Sequence, residues 1–450
     1  MRRSVAIMAA TVFMIALTEP SVVFAADDET VARATHFIDS LAKGDYAGAS
    51  ARYDAAMRQA LPEPQLKQTW LALQKQVGAY KERGQMRTSK SGAFDIVLVT
   101  CRFEKTTLDA KVVLNGKGEV SGLFFVPSTA ATEPGGPPAY VLTNLFRERE
   151  FTVGNGEWRL PGTLSMPAVA DSAPCPAVVL VHGSGPNDRD ETIGGAKPFR
   201  DLAWGLATKG IAVLRYEKRT RHYTSRFTGL NPPKLTVREE IIDDALSAAR
   251  QLREVSGIDP EKVFVLGHSE GGAVGPRIAA ADPKIAGLII LAGATRPLED
   301  LIVDQTRYLI SLNGTPSPAE QEHLRNVETA VAVVKKLTPS DASSSSNILG
   351  APAAYWLDLR AHDPVTEAKT LKMPILILQG GRDYQVTHLD FNRWKQGLAA
   401  SPNVSFKLYP ELNHLFTSGE GKSTPQEYEK AAHVSATVVS DIANWILSRH

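Results

Sequence analysis

The chain has 450 residues, 43% of them apolar and 22% charged. That is length for two domains of roughly 100–250 residues each, and composition enough to bury a core, which excludes an intrinsically disordered chain. Lys+Arg 50 against Asp+Glu 49 leaves a formal charge of +1. Without a basic excess, no nucleic-acid partner is expected.

In chain order, Arg2 and Arg3 precede an apolar run from Val5 to Leu17 broken only by Thr11, with small residues around Ala25. This is the pattern of a secretory signal over residues 1–26. The run is shorter than the roughly 20 residues a membrane span needs. No later segment is long and apolar enough, so no span is expected after cleavage, and the mature protein is expected to be secreted or periplasmic.

Residues 28–127 read as a small α+β domain. Val31, Ala34, Phe37, Ile38 and Leu41 keep a helical period. Residues 45–61 and 63–77 predict two more helices. Strands are expected at 94–99, 108–114 and 120–126, the last two joined by the Asn115-Gly116 turn. Cys101 in this domain and Cys175 beyond it read as buried free thiols. Residues 128–146, rich in Pro, Gly, Ser and Thr at the start, predict a linker.

From 147 to 450 the pattern becomes alternating. A hairpin over 150–166 turns at Gly154-Asn155-Gly156. Buried strands are expected at 177–181, 211–216, 263–266, 288–291, 375–378 and 404–408, with helices between them. The densest basic run, Arg215 to Arg221, reads as a solvated loop. Thr236 with Glu239 three residues on is a capping box opening a helix. A last helix is expected over 425–447. Such alternation specifies a mostly parallel sheet covered on both faces. About eighty residues between the strands at 288 and 375 exceed a normal crossover and predict a helical lid over about 296–370.

Gly267-His268-Ser269-Glu270-Gly271 follows one of these strands and precedes a helix. G-x-S-x-G in that setting forces a sharp turn that lifts the serine hydroxyl above the carboxyl end of the sheet. Ser269 is therefore the candidate nucleophile. His182-Gly183-Ser184-Gly185 follows an earlier strand and is the candidate oxyanion loop. The backbone N–H groups of Ser184 and Glu270 are the candidate donors. His182 itself reads as a buried brace. Asp383, just past the strand at 375, is the candidate acid, with Asp390, Glu299 and Asp300 as alternatives. His414, in the loop after the strand at 404, is the candidate base. No metal-ligand spacing is present, and neither a metal nor an organic cofactor is expected.

The run His182 to Asp190, with Gly267 to Gly272, Gly381-Arg382-Asp383 and Asn413-His414, resembles bacterial α/β-hydrolase carboxylesterases. It is also similar to the catalytic domains of dienelactone hydrolases and prolyl oligopeptidases. The small first domain resembles the nuclear-transport-factor-2 type in its element order. The resemblance implies an α/β-hydrolase fold and a Ser269–His414–Asp383 triad that cleaves a small-molecule carboxylic ester through an acyl-enzyme. Dienelactone hydrolases use cysteine where this chain has Ser269. The β-propeller of prolyl oligopeptidases has no counterpart in the short, helical region here. An exported peptidase or amidase is the alternative expectation, and a non-catalytic binding protein on the same fold is the third.

Overall fold

The computed structural model of the chain describes residues 28–91, 94–104, 106–127, 136–171, 173–227, 232–312, 314–344 and 346–449. The expected signal over 1–26 and the first part of the expected linker, 128–135, lie outside them. Two compact units meet in the sequence at residues 132–133.

The first unit opens with helix Asp28–Lys43, whose Ala34, Phe37, Ile38 and Leu41 are fully buried. Residues 45–61 form two short helices, Tyr46–Ser50 and Ala55–Ala60, rather than one. The Asp54 side chain caps the second by accepting from Met57 N, which starts a new helix where a continuous one was expected. Helix Glu63–Val77 follows, then a four-stranded antiparallel sheet in sequential order. Its first strand, Tyr80–Ser91, was not expected from the sequence. It is an edge strand carrying Lys81, Glu82, Arg83 and Arg87, and charge on an edge hides the alternation of a half-buried strand. Trp70, Tyr80, Phe103 and Phe125 pack ring to ring beside the core of this unit.

The second unit is built on eight strands in the spatial order Val404–Tyr409, Ile375–Gly380, Leu288–Leu291, Ile258–His268, Cys175–Val181, Ala212–Tyr216, Leu160–Pro167 and Phe146–Val153. The first six are parallel and the last two form an antiparallel hairpin on the edge. The central strands are apolar on both faces. Val179, Val181, Val265 and Ile290 pack with Ala245, Ala248, Leu252 and Ile278 on one side. Val178, Leu180, Leu266 and Ile289 pack with Phe199, Leu202, Val438 and Ile442 on the other. This is the doubly covered α/β sheet that the alternation predicts.

The Thr236 capping box forms only in part: Glu239 Oε2 accepts from Thr236 N, but the Thr236 hydroxyl accepts from Arg238 N rather than Glu239 N, because the helix begins with a π-turn, Arg238–Ile242, before Asp243–Leu252. The expected final helix over 425–447 is interrupted. Only Pro425–Tyr428 and Ala436–Leu447 are helical, because the buried Asp201 carboxylate captures Val434 N at 3.0 Å and His433 Nδ1 at 3.1 Å. Cys101 and Cys175 are both buried and unpaired. The long insertion folds into helices Leu298–Ser311, Pro318–Lys336, Ala353–Arg360 and Pro364–Thr370, with a small core of its own around Val331, Val334 and Trp356.

Candidate active site

Strand Ile258–His268 runs directly into Ser269, and helix Glu270–Ala281 starts at the next residue. Ser269 has φ 53° and ψ −115°, a left-handed conformation that costs an L-residue free energy. The flanking glycines allow the turn. A Cβ on Gly267 would lie 2.1 Å from Gly271 O, and one on Gly271 would lie 2.3 Å from Val181 O. Ser269 N donates to Leu291 O at 2.9 Å, which ties the turn to the neighbouring strand.

Asp383 and His414 each follow a strand of the same sheet and meet. His414 Nδ1 lies 2.7 Å from Asp383 Oδ2, and both side chains are buried. Asp383 is held from every side. Its Oδ1 accepts from Gln385 N at 2.8 Å and Val386 N at 3.0 Å, and Gln379 Nε2 donates to Oδ2 at 3.0 Å. With Nδ1–H donated to the carboxylate, the free lone pair of His414 is on Nε2. The His414 ring stands 4.7 Å, centroid to centroid, from the ring of His268, the residue before Ser269. Ser269 Oγ and His414 Nε2 are not hydrogen-bonded to each other in this structure. The alternative acids are engaged elsewhere. Asp390 takes Thr295 and Arg296, Asp300 pairs with Lys335, and Glu299 faces Arg360.

On the other side of Ser269 lies the loop after strand Cys175–Val181. A Cβ on Gly183 would be 3.1 Å from Ser269 Cβ, so this loop crosses directly over the serine. Ser184 and Glu270 both line the cleft, and their N–H groups take no partner among the described residues. His182 is buried, with Nε2 2.6 Å from Tyr216 O and its ring stacked on Phe199. Burial pushes its imidazole below the usual value, as suits a neutral brace. Asp188, Arg189 and Asp190 shape the loop. Asp188 Oδ1 accepts from Thr192 N, Arg189 pairs with Glu217, and Asp190 with Arg215.

Two buried charge systems under this floor were not expected from the sequence. Glu191 Oε1 accepts from Gly183 N at 2.7 Å, while its Oε2 lies 2.9 Å from His268 Nδ1. His268 Nε2 is 3.0 Å from His414 O. Both ring nitrogens thus face acceptors, as an imidazolium requires. Burial alone would lower His268 and raise Glu191, but their mutual attraction wins and moves each the other way. The second system centres on Lys218, which is 2% exposed. Its Nζ donates to Gly183 O at 2.8 Å and lies 3.3 Å from Glu240 Oε2 and 3.6 Å from Glu270 Oε2. This corrects the reading of Arg215 to Arg221 as a solvated loop. Arg215, Lys218 and Arg219 are all buried, each facing a carboxylate brought from far along the chain. No local pattern signals such burial.

The cleft above Ser269 has room for about 500 Å3. One wall is helix Glu270–Ala281, through Ala273, Val274 and Arg277. The facing wall comes from the insertion, through Leu298, Glu299, Leu301, Leu359 and Pro364. No group of three or more His, Cys, Asp or Glu side chains placed to hold a metal occurs among the described residues.

A family model described as serine aminopeptidase, S33, matches residues 172–420, more than half the chain. A second, described as a protein of unknown function, DUF3887, matches residues 34–123. Among curated proteins, the chain is 40% identical to Esterase EstD of Thermotoga maritima over 411 residues, which covers 91% of this chain and 94% of that one. Among solved structures it is similar to Est1E from Butyrivibrio proteoclasticus, at 15% identity over 67% of this chain and 98% of that one, with a TM-score of 0.42. It is also similar to an acylaminoacyl peptidase of Pyrococcus horikoshii, at 14% identity over 82% and 56% of the two chains, with a TM-score of 0.46. By the extent of the family match and the identity to a full-length relative, the chain belongs to the serine aminopeptidase S33 family of α/β-fold serine hydrolases.

Proposed function

We propose that this protein is an exported carboxylesterase in which Ser269 is the nucleophile, His414 the base and Asp383 the acid that orients the base. The contact of His414 Nδ1 with Asp383 Oδ2 at 2.7 Å, in the loops beside Ser269, carries this reading. Ser269 Oγ attacks the ester carbonyl carbon as its proton passes to His414 Nε2. The N–H groups of Ser184 and Glu270 hold the oxyanion. The C–O bond then breaks, and the alcohol leaves with the proton from His414. Water attacks the acyl-enzyme by the same route and releases the acid. Serine–histidine hydrogen bonds are often long or misaligned in free enzymes and tighten around substrate, so the open Ser269–His414 pair is compatible with this course.

The enzyme is a serine hydrolase of carboxylesterase type, in keeping with its 40% identity to an esterase. The family description raises aminopeptide cleavage as a second reading. An aminopeptidase needs an uncommitted acid for the substrate ammonium group. Here several acids of the cleft have partners: Glu299 lies 3.5 Å from Arg360, Asp300 pairs with Lys335, Glu367 contacts His362, and Asp363 caps a helix. That favours the ester. Ser269→Ala should abolish turnover of short p-nitrophenyl esters with the thermal melt preserved; full activity would reject Ser269. Wild-type turnover of aminoacyl amides above that of esters would reject the ester reading.

Export rests on Arg2, Arg3, the apolar run from Val5 to Leu17 and the small residues near Ala25. N-terminal sequencing of the mature protein should begin near Ala26. A cytoplasmic product that still begins at Met1 would refute it.

A further inference from the structure

We propose that Lys218 is a positioning residue that backs the oxyanion hole, fixing and polarising the Ser184 N–H through the carbonyl of Gly183. The proposal rests on Ser184 and Glu270 being the oxyanion donors. Gly183 C=O and Ser184 N–H belong to one peptide unit, and no peptide bond in the described chain is cis. In a trans peptide the two groups point in opposite directions. Lys218 Nζ holds Gly183 O from below at 2.8 Å, and Asn187 Nδ2 adds a second donor at 3.1 Å. Glu191 fixes the other side of the same residue through Gly183 N. The Ser184 N–H is therefore aimed away from Lys218, towards the cleft that Ser184 lines. A donor bonded to a carbonyl strengthens the N–H of the same peptide, and a cationic donor does so most.

Lys218 also reaches the second donor residue, since its Nζ is 3.6 Å from Glu270 Oε2. Tyr355 Oη lies 2.7 Å from Glu240 Oε2 and 3.0 Å from Glu270 Oε1. A phenol has one proton to donate, so one of these contacts is donated by the carboxyl. Burial raises Glu270 above the usual carboxylate range. The cluster then holds one cation, Lys218, between two carboxyl groups that share Tyr355. Within that cluster the shortest polar contact of Lys218 Nζ is the 2.8 Å bond to the Gly183 carbonyl, beneath the site where negative charge develops.

The test is steady-state kinetics on full-length Lys218→Met with a short p-nitrophenyl ester. The expected loss is about 10- to 100-fold in kcat at unchanged KM, smaller than the 10²–10³ of losing a donor outright. Affinity for phenylboronic acid, which mimics the tetrahedral adduct on serine, should fall in parallel with kcat. Arg219→Met is the control for general damage. It strips a neighbouring buried cation from Asp244 without touching Gly183 or Glu270, and kcat should stay within twofold. A kcat within twofold of wild type in Lys218→Met, or a loss confined to KM, would overturn the proposal. Should Lys218→Met not fold, Asn187→Ala withdraws the other donor to the same carbonyl, together with its bond to Ser184 O. A kcat fall of about two- to fivefold at unchanged KM upholds the clamp, and no change rejects it. Full kcat in Lys218→Met while Ser269→Ala stays inert rejects the backing role alone, whereas an active Ser269→Ala rejects the reading beneath it.

Discussion

The floor of the cleft and its outer wall are held together by different means. Under Ser269 the ion pairs are sealed from water. Glu191 and His268 are 1% and 4% exposed, and Lys218 faces Glu240 and Glu270 in the same interior. Backbone approaches backbone there so closely that no side chain beyond hydrogen fits at Gly267 or Gly271. The insertion that forms the wall has a small core, and its outer ion pairs lie in solvent: Arg307 and Glu328 are 58% and 40% exposed, and Lys335 and Asp300 51% and 40%. Buried pairs are costly to break, and exposed ones are screened and contribute little. The difference teaches that the reacting geometry is set by the floor, while the wall is free to change and to select substrates.

The sharpest test of that contrast is Asp383→Asn. It keeps the shape of the floor but removes the charge that holds His414. Activity should fall about 10³- to 10⁴-fold with the melt little changed, read as kcat at fixed pH. A fall under tenfold would mean that the floor does not set the geometry.

Gly271→Ala should come next. The added methyl would meet Val181 O at 2.3 Å and His182 O at 2.6 Å, both backbone atoms that cannot swing aside. A loss of about 3 kcal/mol in urea unfolding is expected, at the upper end of overpacking costs. Wild-type stability would place the strain elsewhere.

Glu191→Gln probes the buried pair through pH. His268 is raised, so its contribution is complete below the ordinary histidine value of about 6.5 and is lost as pH climbs through its folded value. Glu191 is lowered, so its contribution is complete above the ordinary carboxylate value of about 4.3 and is lost as pH drops through its folded value. The pair therefore acts in full from about pH 4.3 to 6.5. Glu191→Gln should cost about 2–3 kcal/mol at pH 6 and less at pH 9. An equal cost at both pH values would show that His268 carries no charge.

On the wall, Arg307→Ala should change stability by less than about 1 kcal/mol and kcat by less than twofold. A larger effect on kcat would erase the distinction between wall and floor.

The same contrast governs what the sequence reveals. Ser269 and Asp383 each follow an apolar run that forms a buried strand, whereas Val404–Tyr409, expected to be buried, is a largely exposed edge strand because it lies at the end of the sheet; its place before His414 still puts all three at one rim. The insertion was visible as excess length between the strands at 288 and 375. Strand Tyr80–Ser91 was not, because an edge strand may carry charge on either face. The break before Ala436–Leu447 was hidden because its cause, Asp201, lies more than two hundred residues away in the chain. Lys218 and Glu191 were missed for a related reason. A charge is buried only when a distant partner meets it, and neither Glu240 nor His268 can be matched to them by spacing.

The left-handed backbone at residue 269 sets the working hydroxyl against the durability of the fold. A residue without a β-carbon would sit there at ease, so a chain relieved of its nucleophile can be sturdier than the active one. Directed evolution that rewards heat resistance alone would drift towards inert variants, and turnover has to be scored in every round.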